Sequence, residues 1–269
     1  MKKIFSYLSI LVLFFSCSPN NVDRAPQLEK YFTENNAKGC FALYNNSTNK
    51  FTIHNLESFR DSSYSPTSTF NIVSSLIGLQ EGVIVDDSMI VKWDGVHRPI
   101  ENWNQDLSMF TAFRIEAQPY YQEISRRIGK ERIKIWLDTL AYGSKKITTS
   151  IDSFWFDNSL KITPDEQLGF LKKLYFHQLP FHQRNHEIVK GAMLFENNTK
   201  YKLSYTTGLE KNNNEKKVTW MIGWIEENNH PYFFVLHFET SENPDSIPQI
   251  RLKLLMQILK DLGFLEGKM

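Results

Sequence analysis

A mixed α/β fold, with a central antiparallel sheet built from both ends of the chain and a mainly helical part between, follows from three features of the sequence. Two β-prone runs near the start, Gly39 to Tyr44 and Lys50 to His54, flank the turn-forming Asn45-Asn46-Ser47-Thr48-Asn49, which is a hairpin pattern. A second pair, Val218 to Glu226 and Tyr232 to Glu239, returns near the other end around Glu227-Asn228-Asn229-His230-Pro231. The residues between carry helical patterns, so the strands of the two ends are expected to share one sheet with helices packed on it.

The chain starts with Lys2 and Lys3, an apolar run from Ile4 to Phe15, and then Ser16 and Cys17. That run is short of the roughly 20 apolar residues that cross a membrane and suits the core of an export signal. Leu13-Phe14-Phe15-Ser16-Cys17 resembles a bacterial lipoprotein cleavage site. It implies a signal peptide over 1–17, a lipid on Cys17, and a periplasmic protein attached to membrane only through that lipid; plain cleavage nearby or a retained anchor are the alternatives. The polar residues 18–28 then form a tether, and 29–269 the domain. Cys40 is the other cysteine, so with Cys17 lipidated no intrachain disulfide forms and Cys40 is expected as a small core residue.

Within the domain, about 29–60 and 200–269 are expected to supply the sheet and about 61–199 the helices. Ile72 to Leu79 reads as a buried helix, followed by Pro119 to Ile128, Lys130 to Leu140, and Pro164 to Phe176, where Thr163 caps and Pro164 takes the first turn. A last helix, Gln249 to Leu262, is expected to lay Ile250, Leu254, Leu255 and Ile258 on the sheet before Gly263 ends it. Lys211 to Lys217 reads as a solvated turn between strands.

Composition narrows the function. A chain of 269 residues, 41% hydrophobic, can bury a full core. Its net charge of +1 provides no field for nucleic acid, which is set aside as a partner. His182 and His186 are four apart, but Pro180 precedes them and no HExxH surrounds them, so no metal site is expected. Asp86, Asp87 and Asp94 lack the spacing of a calcium loop. No Walker loop, GxGxxG or GxSxG occurs.

The stretch Ser65-Pro66-Thr67-Ser68-Thr69-Phe70-Asn71 is more informative. It presents a serine at a helix start, where the dipole and free amides favour developing negative charge. The residue one turn later is Asn71, an amide that takes no proton at neutral pH. Further along come Ile115-Glu116-Ala117-Gln118-Pro119, Tyr142-Gly143-Ser144, Phe154-Trp155-Phe156-Asp157-Asn158-Ser159-Leu160-Lys161-Ile162-Thr163-Pro164, Thr206-Thr207-Gly208 and Arg251. In their order and spacing these segments resemble the motifs of the class D β-lactamases, the oxacillinase group of penicillin-recognising serine enzymes, from about Glu29 to Leu265.

The resemblance implies β-lactam hydrolysis through an acyl-serine at Ser68. In that family a lysine three residues on, carbamylated by carbon dioxide, serves as base; an SxV serine relays protons; a KTG lysine and an arginine hold the substrate carboxylate; and a tryptophan, here Trp155, shields the base. This chain has Asn71 at the base position, Glu116 at the relay with Gln118 for the valine, and Thr206 for the KTG lysine. Ser68, Trp155, Gly208 and Arg251 remain, with Thr206, Thr207, Gly208 and Arg251 at the substrate-binding positions. Loss of a base costs ~10²–10⁴ in rate, and failure of a coupled unit approaches ~10⁶. Turnover is therefore expected to be severely impaired, with no cofactor, because the lysine that carbon dioxide would modify is absent. A β-lactam-type small molecule is the expected ligand, and self-pairing into a homodimer is left open. Two other readings stand beside this one: a non-catalytic ligand-binding or decayed relative, and an active hydrolase in which burial makes Glu116 basic enough to replace the lysine.

Overall fold

The computed structural model describes residues 21–210 and 216–268. The expected signal peptide with Cys17, the start of the tether and most of the Lys211 to Lys217 turn lie outside the described residues. In chain order the strands are β1 (Val22–Arg24), β2 (Ala37–Asn45), β3 (Lys50–His54), β4 (Ile90–Val91), β5 (Leu107–Ser108), β6 (Leu194–Asn197), β7 (Lys202–Glu210), β8 (Lys217–Glu227) and β9 (His230–Thr240). The helices are α1 (Glu29–Glu34), α2 (Leu56–Asp61), α3 (Asn71–Gln80), α4 (Met109–Arg114), α5 (Gln118–Ile128), α6 (Lys130–Leu140), α7 (Pro164–Tyr175), α8 (Gln183–Met193) and α9 (Ile247–Asp261).

Seven strands form one sheet in the order β1-β3-β2-β9-β8-β7-β6, antiparallel except for the β1–β3 pair, while β4 and β5 pair separately. The two expected hairpins are β2–β3 and β8–β9. Strand β2 pairs with β9 from Ala37 opposite Thr240 to Asn45 opposite Tyr232, which joins the two ends of the chain in one sheet. Both faces are covered, so the inner strands are apolar at almost every position. Cys40, Ala42, Trp220, Ile222, Phe233 and Val235 face the main helical core, and Phe41, Leu43, Met221, Phe234 and Leu236 face α1 and α9. Cys40 is a free, fully buried thiol, and burial pushes its pKa up to about 12. At α7 the Thr163 hydroxyl accepts from the Glu166 amide while the Glu166 carboxylate accepts from the Thr163 amide, a reciprocal cap.

Some elements differ from expectation. Residues 22–28, expected within the tether, belong to the domain: β1 adds to the sheet edge, the Ala25 amide donates to the Ile53 carbonyl at 2.8 Å, and Leu28 packs beside Phe32. So short a stretch has no periodicity to betray it. Strand β7 falls within the 200–269 stretch expected to supply the sheet, while strand β6 and helix α8 were not singled out. His186 lies buried in α8 with its Nδ1 3.2 Å from the His182 carbonyl oxygen, and no group of three His, Cys, Asp or Glu able to hold a metal occurs among the described residues.

His237 on β9 is buried with neither ring nitrogen partnered, stacked 3.8 Å from the Tyr64 ring and 4.2 Å from the Trp220 ring. Burial pulls its pKa from 6.5 down to about 3. Between those values the unfolded chain binds a proton that the folded one refuses, so stability is complete above pH 6.5 and is lost as pH falls toward 3. Denaturant titrations at pH 7 and pH 5 should show lower stability at pH 5, with a contribution up to about 1.4 kcal/mol per pH unit from this group. In His237→Phe that slope should flatten; an unchanged slope would count against the assignment.

Candidate active site

Helix α3 is buried from Asn71 to Leu79 because Ile72, Val73, Leu76, Ile77 and Leu79 are apolar and Ser74, Ser75 and Gly78 are small enough for neighbouring chain to approach. A single 3-10 turn over Thr67–Phe70 leads into it and holds Ser68, half-buried, at its start. This turn is braced from several sides. The Thr67 amide donates to the Trp155 carbonyl at 2.8 Å, and the Ser65 hydroxyl donates to the same oxygen at 3.0 Å. The Thr67 and Thr69 hydroxyls both donate to the Pro66 carbonyl, and Gln167 of α7 donates to Thr69. Trp220 of β8 donates its indole N–H to the Ser65 carbonyl at 2.8 Å. Thr67 itself has φ of 50°, a left-handed conformation that a β-branched residue adopts only where its surroundings impose it.

Strand β7 presses against this turn at Gly208. A β-carbon there would lie 2.1 Å from the Thr67 Oγ1 and 3.1 Å from the Ser68 amide nitrogen, so only glycine lets the strand come so close. The approach brings the β7 backbone close to the Ser68 amide.

Glu116 reaches the same region by a different route. Helix α4 ends at Arg114 with Ile115 as its cap, and Glu116 follows at φ of 52°. The Glu116 amide donates to the Phe113 carbonyl at 3.3 Å and the Ala117 amide to the Ala112 carbonyl at 2.8 Å, the paired bonds of a Schellman stop. The carboxylate so placed accepts from the Thr207 hydroxyl and lies 3.4 Å from Nη2 of Arg251. Arg251, buried in α9, also donates through Nη1 to the Gly208 carbonyl at 3.3 Å and to the Thr219 hydroxyl at 3.2 Å. Thr219 in turn donates to the Gly208 carbonyl at 2.9 Å. Nε of Arg251 is buried without a partner. Beside this cluster opens a cavity of about 460 Å³ lined by Phe113, Ile115, Phe195, Tyr205, Thr206 and Met221, among others. A second cavity, of about 220 Å³ between Trp93, Trp103 and Arg127, includes none of the site residues.

The fold thus gathers the sequence-derived candidates in two connected groups. Ser68 and Gly208 meet at the turn, and Glu116, Thr207, Gly208 and Arg251 meet at the cradle, with Thr206 on the cavity wall. Trp155 is buried behind them, its ring stacked on Phe70 with centroids 5.7 Å apart and its carbonyl bracing the turn. Asn71, 2% exposed, begins α3 with its backbone N–H donating to the Ser68 carbonyl. Thr219 and Gln167 lie outside every motif, because only strand register and helix packing bring them to the site.

A model of the penicillin binding protein transpeptidase domain matches residues 34–257. The β-lactamase OXA-48 of Klebsiella pneumoniae is 37% identical over 209 residues, 78% of each chain. The class D β-lactamase of Sebaldella termitidis superposes with a TM-score of 0.85 at 32% identity, covering 91% of this chain and 98% of that one. The C-terminal domain of the Bacillus licheniformis BlaR penicillin-receptor matches equally well in shape, with a TM-score of 0.85, 30% identity, and coverage of 90% and 97%. With its sheet, its braced Ser68 turn and its glycine-mediated β7 approach all in one frame, the chain belongs to the penicillin-binding transpeptidase family, on its class D β-lactamase branch.

Proposed function

We propose that this protein keeps the cleft architecture of its penicillin-binding family but does not turn over β-lactams at a useful rate. The residue that carries the reading is Asn71: a buried side-chain amide, 2% exposed, stands at the motif position where the family has the base for its serine. An amide has no proton-accepting state at neutral pH and cannot carry a carbamate, so position 71 offers carbon dioxide no group to modify. Glu116 is the other candidate base. Its carboxylate is engaged by Thr207 and Arg251 rather than by Ser68, which supports the non-catalytic reading over a Glu116-driven hydrolase. Thr206 adds to this, since a neutral hydroxyl replaces the cation that would sit beside Arg251. On the same reading the protein is exported and held at a bacterial membrane by a lipid on Cys17, for which lipid labelling that disappears in Cys17→Ser is the test.

Purified protein mixed with benzylpenicillin should show no saturable hydrolysis above that of Ser68→Ala, a deficit of ~10⁴ or more against an intact serine-and-base site. Intact mass after the same incubation should show no covalent adduct. Hydrolysis that saturates and vanishes in Ser68→Ala defeats the proposal, and an accumulating adduct would show that Ser68 still attacks while deacylation fails.

Asn71→Lys should restore little activity by itself, because Glu116 and Thr206 still alter proton relay and carboxylate binding. Full recovery of hydrolysis from that one substitution would show that Asn71 alone disables the site.

A further inference from the structure

We propose that Glu116 is a built-in occupant of the anion cradle, so that the cleft takes uncharged amide-type ligands in preference to carboxylates. This rests on the reading of the cleft as a ligand site and names the class of ligand that it accepts. The cradle's cation is Arg251, whose side chain is 7% exposed. Its Nη1 is engaged by the Gly208 carbonyl and the Thr219 hydroxyl, and its Nη2 is directed at Glu116 Oε1. The same carboxylate oxygen takes the Thr207 hydroxyl proton in a hydrogen bond. A guanidinium N–H and a hydroxyl converging on one carboxylate oxygen are the donors a ligand carboxylate would seek, and an internal carboxylate already holds both.

Two features make this occupancy persistent. The Schellman stop fixes the Glu116 backbone at φ of 52°, so the side chain is delivered to the cradle by the end of α4 and not by its charge alone. The buried guanidinium also needs a counter-charge, and Glu116 is the acidic side chain paired with it. An incoming carboxylate would therefore meet like charge at close range in a partly desolvated site, which is strongly unfavourable. The remaining charged side chain on the cavity wall, Arg114, donates to the Leu194 carbonyl at 2.9 Å and lies 5.0 Å over the Phe195 ring, at the exposed rim. An amide can donate N–H to the Glu116 carboxylate without displacing it, while Phe113, Tyr205 and Met221 offer an apolar wall to its body.

The test is an NMR titration of the full chain with benzamide and with benzoate, two probes of one shape that differ in charge and that cannot acylate Ser68. The native protein should bind benzamide about tenfold or more tightly than benzoate. Glu116→Ala should gain about tenfold or more in benzoate affinity, and Glu116→Gln should gain in the same direction, keeping a folded comparison should the alanine variant unfold. Benzoate binding the native protein as tightly as benzamide overturns the proposal. So do benzoate affinity unchanged in a folded variant and the absence of binding by either probe. Hydrolysis of a penicillin ester, which carries no free carboxylate, would defeat the non-catalytic reading and leave this ranking standing, whereas a failed ranking leaves the assignment of Ser68 and Asn71 untouched.

Discussion

The pairing of β2 with β9 is the constraint from which the rest of the molecule follows. It ties residues 37–45 to residues 232–240 and so fixes where β8 and then β7 must lie. Strand β7 is held between β8 and β6, and that position brings Gly208 against the turn that carries Ser68. The position of the site thus depends on long-range strand register as well as on the loop that bears the serine. The loop is then locked by bonds that come from the tertiary fold: the Trp155 carbonyl, the Gln167 amide and the Trp220 indole all reach it from distant parts of the chain. Preorganisation of this kind is what a backbone oxyanion site needs, since donors already in place require no reorganisation at the moment of reaction.

The buried polar groups near the site divide into satisfied and unsatisfied ones, and the division is informative. Thr67, Thr69, Ser65 and Thr219 each donate to a backbone carbonyl and stiffen the frame. Arg251 is satisfied through both terminal nitrogens but not through Nε, and its charge is balanced by Glu116 from the turn that follows α4. Removing one member of such a pair costs more than replacing both, because the survivor is left charged and desolvated. The frame around Ser68 and the cradle around Arg251 are therefore separable: the first is built from neutral donors, the second from opposed charges.

Much of the fold was legible because the relevant signals are local. Asn-rich turns between apolar runs gave both hairpins, and Thr163 followed by Pro164 marked the capped start that α7 has. Where such signals are weak, less could be read. Strand β7, expected only as part of the 200–269 sheet region, is polar along Ser204, Thr206 and Thr207, because it lies near the sheet edge and lines a cleft rather than a core. Helix α8 buries Asn185 and His186, whose polarity hid its inward face, and Asn185 is satisfied by Gln80 of α3 across the core. The candidate residues were found through their motifs, but the bond from Glu116 to Thr207 and Arg251 crosses 91 and 135 positions of sequence and had no local trace.

The Schellman stop after α4 has one more consequence. Since the backbone there is set by the Ala117-to-Ala112 and Glu116-to-Phe113 bonds, position 116 behaves as a socket whose direction is independent of what is plugged into it. A serine, a glutamate or an alanine would each project to the same place between β7 and α9. The chemical character of the cleft can then be exchanged by one substitution with the architecture left standing, so shape and reactivity in this molecule are free to change at different rates.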